Sequence, residues 1–178
     1  FVTRHIVRQT IGPLLEGKTP RQVAKLRFCD MACGSGSFLI ELLQFLFDWH
    51  LRYYTEHNPQ EWQKGRNSCI YQVGPSVLNA EPRLPRRNVS AEAGNLRPLY
   101  RLTTEERKRI LLNNIFGVDI DGQAVEVTKL SLLLKVLEGE SQESITKQFE
   151  LFHQRALPDL GSNIKCGNSL IGSEAYKH

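Results

Sequence analysis

The sequence predicts an α/β domain with a mainly parallel sheet, and three observations lead there. Three short apolar runs, residues 26–31, 115–120 and 163–167, have the length and composition of buried strands. Longer segments with apolar residues at helical spacing, 37–54 and 122–138, separate them. The resulting strand–helix–strand–helix–strand order is that of parallel strands joined by helical crossovers. A three-layer sandwich follows, with the three strands adjacent. Right-handed crossovers put their C-terminal ends on one edge.

The elements can be justified in order. Residues 4–15 place Ile6, Val7, Ile11, Leu14 and Leu15 at helical spacing, with Gly12-Pro13 expected to interrupt the helix near its end. After a loop at 17–20 comes the first strand. The helix from Ser37 to Tyr54 has an apolar face of Phe38, Leu39, Leu42, Leu43, Leu46, Trp49 and Tyr53. Prolines at 59, 75, 82, 85 and 98 break up the next stretch, so residues 57–102 read as an inserted irregular segment rather than a second core. The stretch 83–109 holds eight Lys or Arg against three Glu, which suits either DNA phosphates or ordinary solvated surface. Thr103-Thr104-Glu105-Glu106 is a capping-box pattern opening a helix through about Asn113. The helix at 122–138 is apolar on nearly every side (Val125, Val127, Leu130, Leu132, Leu133, Leu134, Val136, Leu137), which predicts packing on more than one face.

Composition narrows the class. The 178 residues are 40% hydrophobic and 24% charged, which implies a packed core. The net charge of +4 permits a nucleic-acid partner without demanding one. No apolar run approaches the length of a membrane span, and no signal-peptide pattern is present. Cys29, Cys33, Cys69 and Cys166 fit no zinc spacing, and the expected state is reduced, mostly buried thiols in a cytoplasmic protein. No metal is expected in this chain. The start at Phe1 suggests a piece of a longer protein.

The chemistry concentrates in Asp30-Met31-Ala32-Cys33-Gly34-Ser35-Gly36-Ser37-Phe38, where a strand hands over to a helix. Two glycines one residue apart allow a tight turn and close approach of a ligand. The helix that follows offers free N–H groups to a negative group. A dinucleotide site needs a third glycine, and Leu39 stands there instead, so a nicotinamide enzyme is disfavoured. S-adenosylmethionine presents a carboxylate, which suits the glycine turn, and an ammonium, which suits Asp30. A tight turn with no ligand is the alternative. Gly117-Val118-Asp119-Ile120-Asp121 closes the second strand, where a carboxylate can accept both hydroxyls of a ribose. Asp119 suits that task, although a cap or turn role is open to it. Asp121 suits the cap of the following helix.

Together these segments resemble a known family. Asp-x-Ala-Cys-Gly-Ser-Gly-Ser-Phe-Leu at 30–39, the run from Asn113 to Leu132, and Ile-Lys-Cys-Gly-Asn-Ser-Leu-Ile-Gly at 164–172 resemble the N6-adenine DNA methyltransferases of bacterial restriction–modification systems. The likeness is greatest to the large single-chain restriction–methylation enzymes. It covers residues 4–54 and 103–172, and residues 55–102 only loosely. Met31 stands where the family usually has Pro, which loosens the turn without removing a ligand-binding group.

The resemblance implies a Rossmann-like class I methyltransferase domain with S-adenosyl-L-methionine as cofactor. It implies that Asp30, Ala32, Cys33, Gly34 and Gly36 line the methionine end, that Asp119 holds the ribose, and that Ile120 lies against the adenine ring. It also implies that Asn168 reads the adenine edge with its amide, where the residues alone favour a turn role beside Gly167. The family's Tyr-Thr-Pro-like segment would precede Phe1, and its catalytic Asn-Pro-Pro-Tyr segment would follow His178. No Asn-Pro-Pro occurs here, since Asn58-Pro59 is followed by Gln60. The chain is therefore expected to be the cofactor-binding half, with no catalytic residue assigned and no methyl transfer on its own. Double-stranded DNA, through the full-length protein, and a restriction or specificity domain or subunit are the implied partners. The alternatives are an RNA or protein methyltransferase, or a non-catalytic methyltransferase-fold module.

Overall fold

A computed structural model describes residues 2–65, 68–73, 99–138 and 158–170. Helix α1 spans Val2–Leu15, and the short α2 spans Pro20–Val23. Strand β1 (Phe28–Asp30) leads through the glycine turn into α3 (Ser37–Glu56). The short α4 (Pro59–Trp62) and a strand pair, β2 (Ile70–Val73) and β3 (Leu99–Leu102), follow. Then come α5 (Thr104–Asn114), β4 (Ile115–Asp119), α6 (Gly122–Leu137) and β5 (Ile164–Cys166).

Strands β1, β4 and β5 form one parallel sheet in the order β1-β4-β5. The three expected strands are thus adjacent and parallel, each slightly shorter than the sequence suggests. Asp30 lies opposite Gly117, and Asp119 opposite Cys166, so the strand ends share one edge. Gly117 lets α3 sit close to the sheet: a Cβ there would lie 2.9 Å from the Leu39 side chain. Leu39, Leu42, Leu43 and Leu46 of α3, Val125, Leu132 and Val136 of α6, and Ile115 and Ile164 of the sheet belong to one buried cluster. Burying each such side chain contributes about 1.5–3 kcal/mol, so this cluster dominates the stability of the domain. On the opposite side of the sheet, Cys29 and Lys165 are exposed. The third layer of the expected sandwich is not among the described residues.

Two buried asparagines tie the connections to this core. Asn114 Nδ2 donates to the carbonyls of Val23 and Leu26, both at 2.7 Å, and so holds the approach to β1. Asn163 Nδ2 donates to Leu112 and Ile115 at 2.9 Å and satisfies carbonyls at the end of α5.

Several expectations are corrected. Pro13 lies inside α1, which runs on to Leu15 rather than breaking. Proline removes one hydrogen bond, but Gln9, whose carbonyl loses its partner, and Pro13 itself are both exposed, so the loss falls on the solvent side of the helix. Part of the inserted segment is regular. Strands β2 and β3 pair antiparallel, and Ile70, Val73 and Leu102 are buried, with Ile70 and Leu102 inside the main cluster. The centre of that segment, including most of its basic residues, lies outside the described residues.

Helix α6 buries one stripe, Val125, Thr128, Leu132 and Val136, while Val127, Leu130 and Leu134 are exposed. Its packing is therefore one-sided among the described residues. The thiols are all free, but only Cys33 is fully buried, whereas Cys29 and Cys166 are exposed. Finally, the capping box at Thr103 is half formed. Thr103 Oγ1 accepts the Glu106 amide at 3.3 Å. The Glu106 carboxylate turns instead to Tyr54, whose hydroxyl donates at 2.5 Å, and to Arg109 at 2.6 and 2.7 Å.

Candidate cofactor site

The strand ends meet at a turn whose shape follows from its glycines. Gly36 N–H donates to the Cys33 carbonyl at 2.8 Å, closing a four-residue turn. Gly34 has φ of 52° and Gly36 of 82°, conformations that residues with a Cβ rarely adopt. A Cβ on Gly34 would meet nothing within 4 Å, so open space lies beside it. A Cβ on Gly36 would lie 2.8 Å from Thr128 Cγ2 and 2.9 Å from Thr128 Oγ1. One glycine thus faces open space and the other faces the buried stripe of α6.

Asp119 is the centre of the site. Its Oδ2 accepts the Gly34 amide at 2.7 Å, and its Oδ1 accepts the Asp121 amide at 2.9 Å. The amides of Asp121, Gly34 and Ile120 hold its carboxyl below the usual carboxylate range. Each oxygen accepts one amide at full hydrogen-bond geometry, and a carboxylate oxygen can accept two. Asp121 Oδ1 accepts the Gln123 amide at 2.8 Å, so Asp121 is the helix cap. Ile120, beside Asp119, is 74% exposed.

The other expected site residues gather around this carboxylate. Asp30 Oδ1 accepts the Ala32 amide at 3.1 Å, and its second oxygen takes no partner among the described residues. Cys33 N–H donates to the Val118 carbonyl at 3.0 Å, which ties the turn to β4. Burial first, then Asp119 and Asp30, push the Cys33 thiol up. That shift favours the thiol over the thiolate, the form that would act as a nucleophile. Gly167 N–H donates to the Asp119 carbonyl at 2.9 Å, which places Asn168 just beyond. Asn168 Oδ1 accepts the Leu170 amide at 2.9 Å, the turn role that the residues alone favour. Ser169 Oγ donates to the Met31 carbonyl at 2.8 Å. The loops after the two outer strands therefore touch past the end of the central one. All eight expected residues (Asp30, Ala32, Cys33, Gly34, Gly36, Asp119, Ile120 and Asn168) lie at this edge. Among the described residues no group of three or more His, Cys, Asp and Glu could hold a metal ion.

Comparison with known families gives a match over residues 15–173 to the family described as MmeI, DNA-methyltransferase domain. The chain belongs to this DNA-methyltransferase domain family. It is 31% identical over 172 residues to RM.Eco57I of Escherichia coli, a type II restriction enzyme and methyltransferase. It is also 31% identical over 151 residues to RM.MjaORFECS2P of Methanocaldococcus jannaschii, whose name carries the same two activities. These alignments take in 97% and 85% of the chain but only 14% and 9% of the relatives, so the chain spans a small part of their length.

Sequence reasoning missed one residue of the domain's site. Thr128 is fully buried, and its hydroxyl donates to the Gly34 carbonyl at 2.8 Å. A signal was present, since Thr128 is the one polar member of the buried stripe Val125, Thr128, Leu132 and Val136.

Proposed function

We propose that this domain is the cofactor-binding half of a Rossmann-like class I methyltransferase that uses S-adenosyl-L-methionine to methylate adenine N6 in double-stranded DNA. On this reading it works in the cytoplasm within a type II restriction–modification enzyme, joined to restriction or specificity parts. Residues 1–178 belong to one catalytic domain carrying an insertion at about 57–102. The observation that carries the reading is Asp119: a carboxylate at the end of the central strand, held by Gly34, with two acceptor positions left for two ribose hydroxyls.

The other groups fit the same ligand. Gly34 leaves open space for the methionine end. The free oxygen of Asp30 suits an ammonium, and the exposed face of Ile120 suits a planar ring. Asn168 keeps its amide nitrogen without a partner among the described residues, and so retains a donor for the adenine edge. The cofactor, when bound, supplies an electrophilic methyl group on a sulfonium. The residues of this chain hold and orient it, and no side chain here is assigned to the target base. The Asn58-Pro59 pair opens α4 and stands apart from the strand ends.

The test uses the complete protein, cofactor labelled in its methyl group, and separate DNA, RNA and protein acceptors. Digestion of the DNA to nucleosides should return the label as N6-methyladenine. Label on cytosine, or on RNA or protein and not on DNA, would contradict the proposal.

A further inference from the structure

Thr128 lies on α6 and is fully buried. A buried hydroxyl needs a partner, and this one donates to the carbonyl of Gly34 at 2.8 Å. Its Cγ2 and Oγ1 also fill the space where a Cβ on Gly36 would stand. The same side chain therefore touches both glycines of the turn. That contact acts on the peptide between Gly34 and Ser35.

The chain has no cis peptide bond among the described residues, so the carbonyl of Gly34 and the N–H of Ser35 point in opposite directions. With the carbonyl turned inward to Thr128, the Ser35 amide points away from α6. Ser35 is exposed, and its N–H takes no hydrogen bond among the described residues. Gly34 at the second position of the turn, with positive φ, followed by Ser35 without it, is the type II′ pattern. The central peptide of such a turn can rotate, and a glycine lowers the barrier to alternatives. The neighbouring peptides are already tied: the Gly34 amide to Asp119 and the Gly36 amide to Cys33. The Ser35 amide is the free donor of the turn, and only the Thr128 hydroxyl holds its peptide from behind.

We infer that Thr128 is a positioning residue, whose hydroxyl orients the 34–35 peptide so that the Ser35 amide is presented to the carboxylate of the cofactor's methionine end. This rests on the cofactor proposed above and refines how its anionic end is held.

The experiment is calorimetric titration of the complete protein with two probes. S-adenosylhomocysteine carries the carboxylate, and 5′-methylthioadenosine lacks the whole amino-acid end. Thr128→Val keeps the shape and removes the hydroxyl. It should weaken S-adenosylhomocysteine about five- to tenfold, the effect of one well-aligned hydrogen bond, and leave 5′-methylthioadenosine within about twofold. Thr128→Ser restores the hydroxyl and should return S-adenosylhomocysteine binding to near the wild-type value. Should Thr128→Val fail to fold, as shown by circular dichroism, Thr128→Ala replaces it. Equal weakening of both probes, or no weakening of either, overturns the role of Thr128 while leaving the cofactor in place. Failure of the wild-type protein to bind S-adenosylhomocysteine removes the cofactor reading itself.

Discussion

Asp119 and Gly34, 85 positions apart in the chain, are joined by a hydrogen bond of 2.7 Å from the glycine amide to the carboxylate. The bond couples the two motifs on which the site depends. The end of the central strand sets the position of the glycine turn, and the turn holds the carboxylate in place. Replacing Asp119 therefore disturbs both halves. Asp119→Ala should lower affinity for S-adenosylhomocysteine by about ten- to hundredfold, because a charged acceptor is lost from the ligand and from the turn. Titration calorimetry on the folded variant measures it. Unchanged affinity would remove Asp119 from the site.

The two glycines of the turn should respond unequally to alanine. Gly34→Ala places a Cβ in open space and should cost about 1–2 kcal/mol, from the left-handed backbone alone. Gly36→Ala adds a contact of 2.8 Å with buried Thr128, and its cost should rise to about 3 kcal/mol or more. Chemical denaturation of the two variants compares them. The opposite order would show that the turn is not held by α6.

Acid should weaken the fold through His50. This imidazole is fully buried on α3, its Nδ1 bonded to the Leu46 carbonyl at 2.8 Å. Burial, and to a lesser degree Arg109, lower its pKa from 6.5 to about 4, against the Leu46 carbonyl and Glu106, which raise it. The unfolded chain thus takes up the proton first as pH falls. The neutral ring's contribution, about 3 kcal/mol, is complete above about pH 6.5 and is lost between there and about pH 4. His50→Leu should flatten that part of the stability profile. An unchanged profile, measured by thermal melts from pH 7 to pH 4, would show that another group carries it.

The Tyr54–Glu106–Arg109 cluster should matter for stability and little for the cofactor. Glu106 is only 4% exposed, and its carboxylate is satisfied by the Tyr54 hydroxyl and the Arg109 fork. Tyr54→Phe removes one donor from a buried charge and should cost about 1–3 kcal/mol. Affinity for S-adenosylhomocysteine should stay within about twofold, since the cluster lies on α3 and α5, away from the strand ends. A large loss of affinity without loss of stability would contradict this separation.

Local signals in the sequence were enough for the strand–helix alternation, the parallel sheet, and Asp30, Gly34, Gly36 and Asp119 at its edge: short apolar runs, helical periodicity, glycines where a strand meets a helix, and a carboxylate where a strand ends. Ala32, Cys33, Ile120 and Asn168 were added by the family resemblance. Their relations across the chain were decided by packing. Nothing local distinguishes the apolar side of α6 that meets α3, with Leu132 and Val136, from the one left exposed, with Leu130 and Leu134. Ile70 and Leu102 pair only because β2 and β3 come together against α3 from either side of a long intervening segment. Glu106 satisfies the local rule for a capping box, yet its carboxylate turns to Tyr54, 52 positions away, because a buried charge there gains a stronger partner than the cap offers. Thr128 was legible as a polar residue in an apolar stripe, but its task was not. A hydroxyl can bond any nearby carbonyl, and only the docking of α6 on the glycine turn selects that of Gly34.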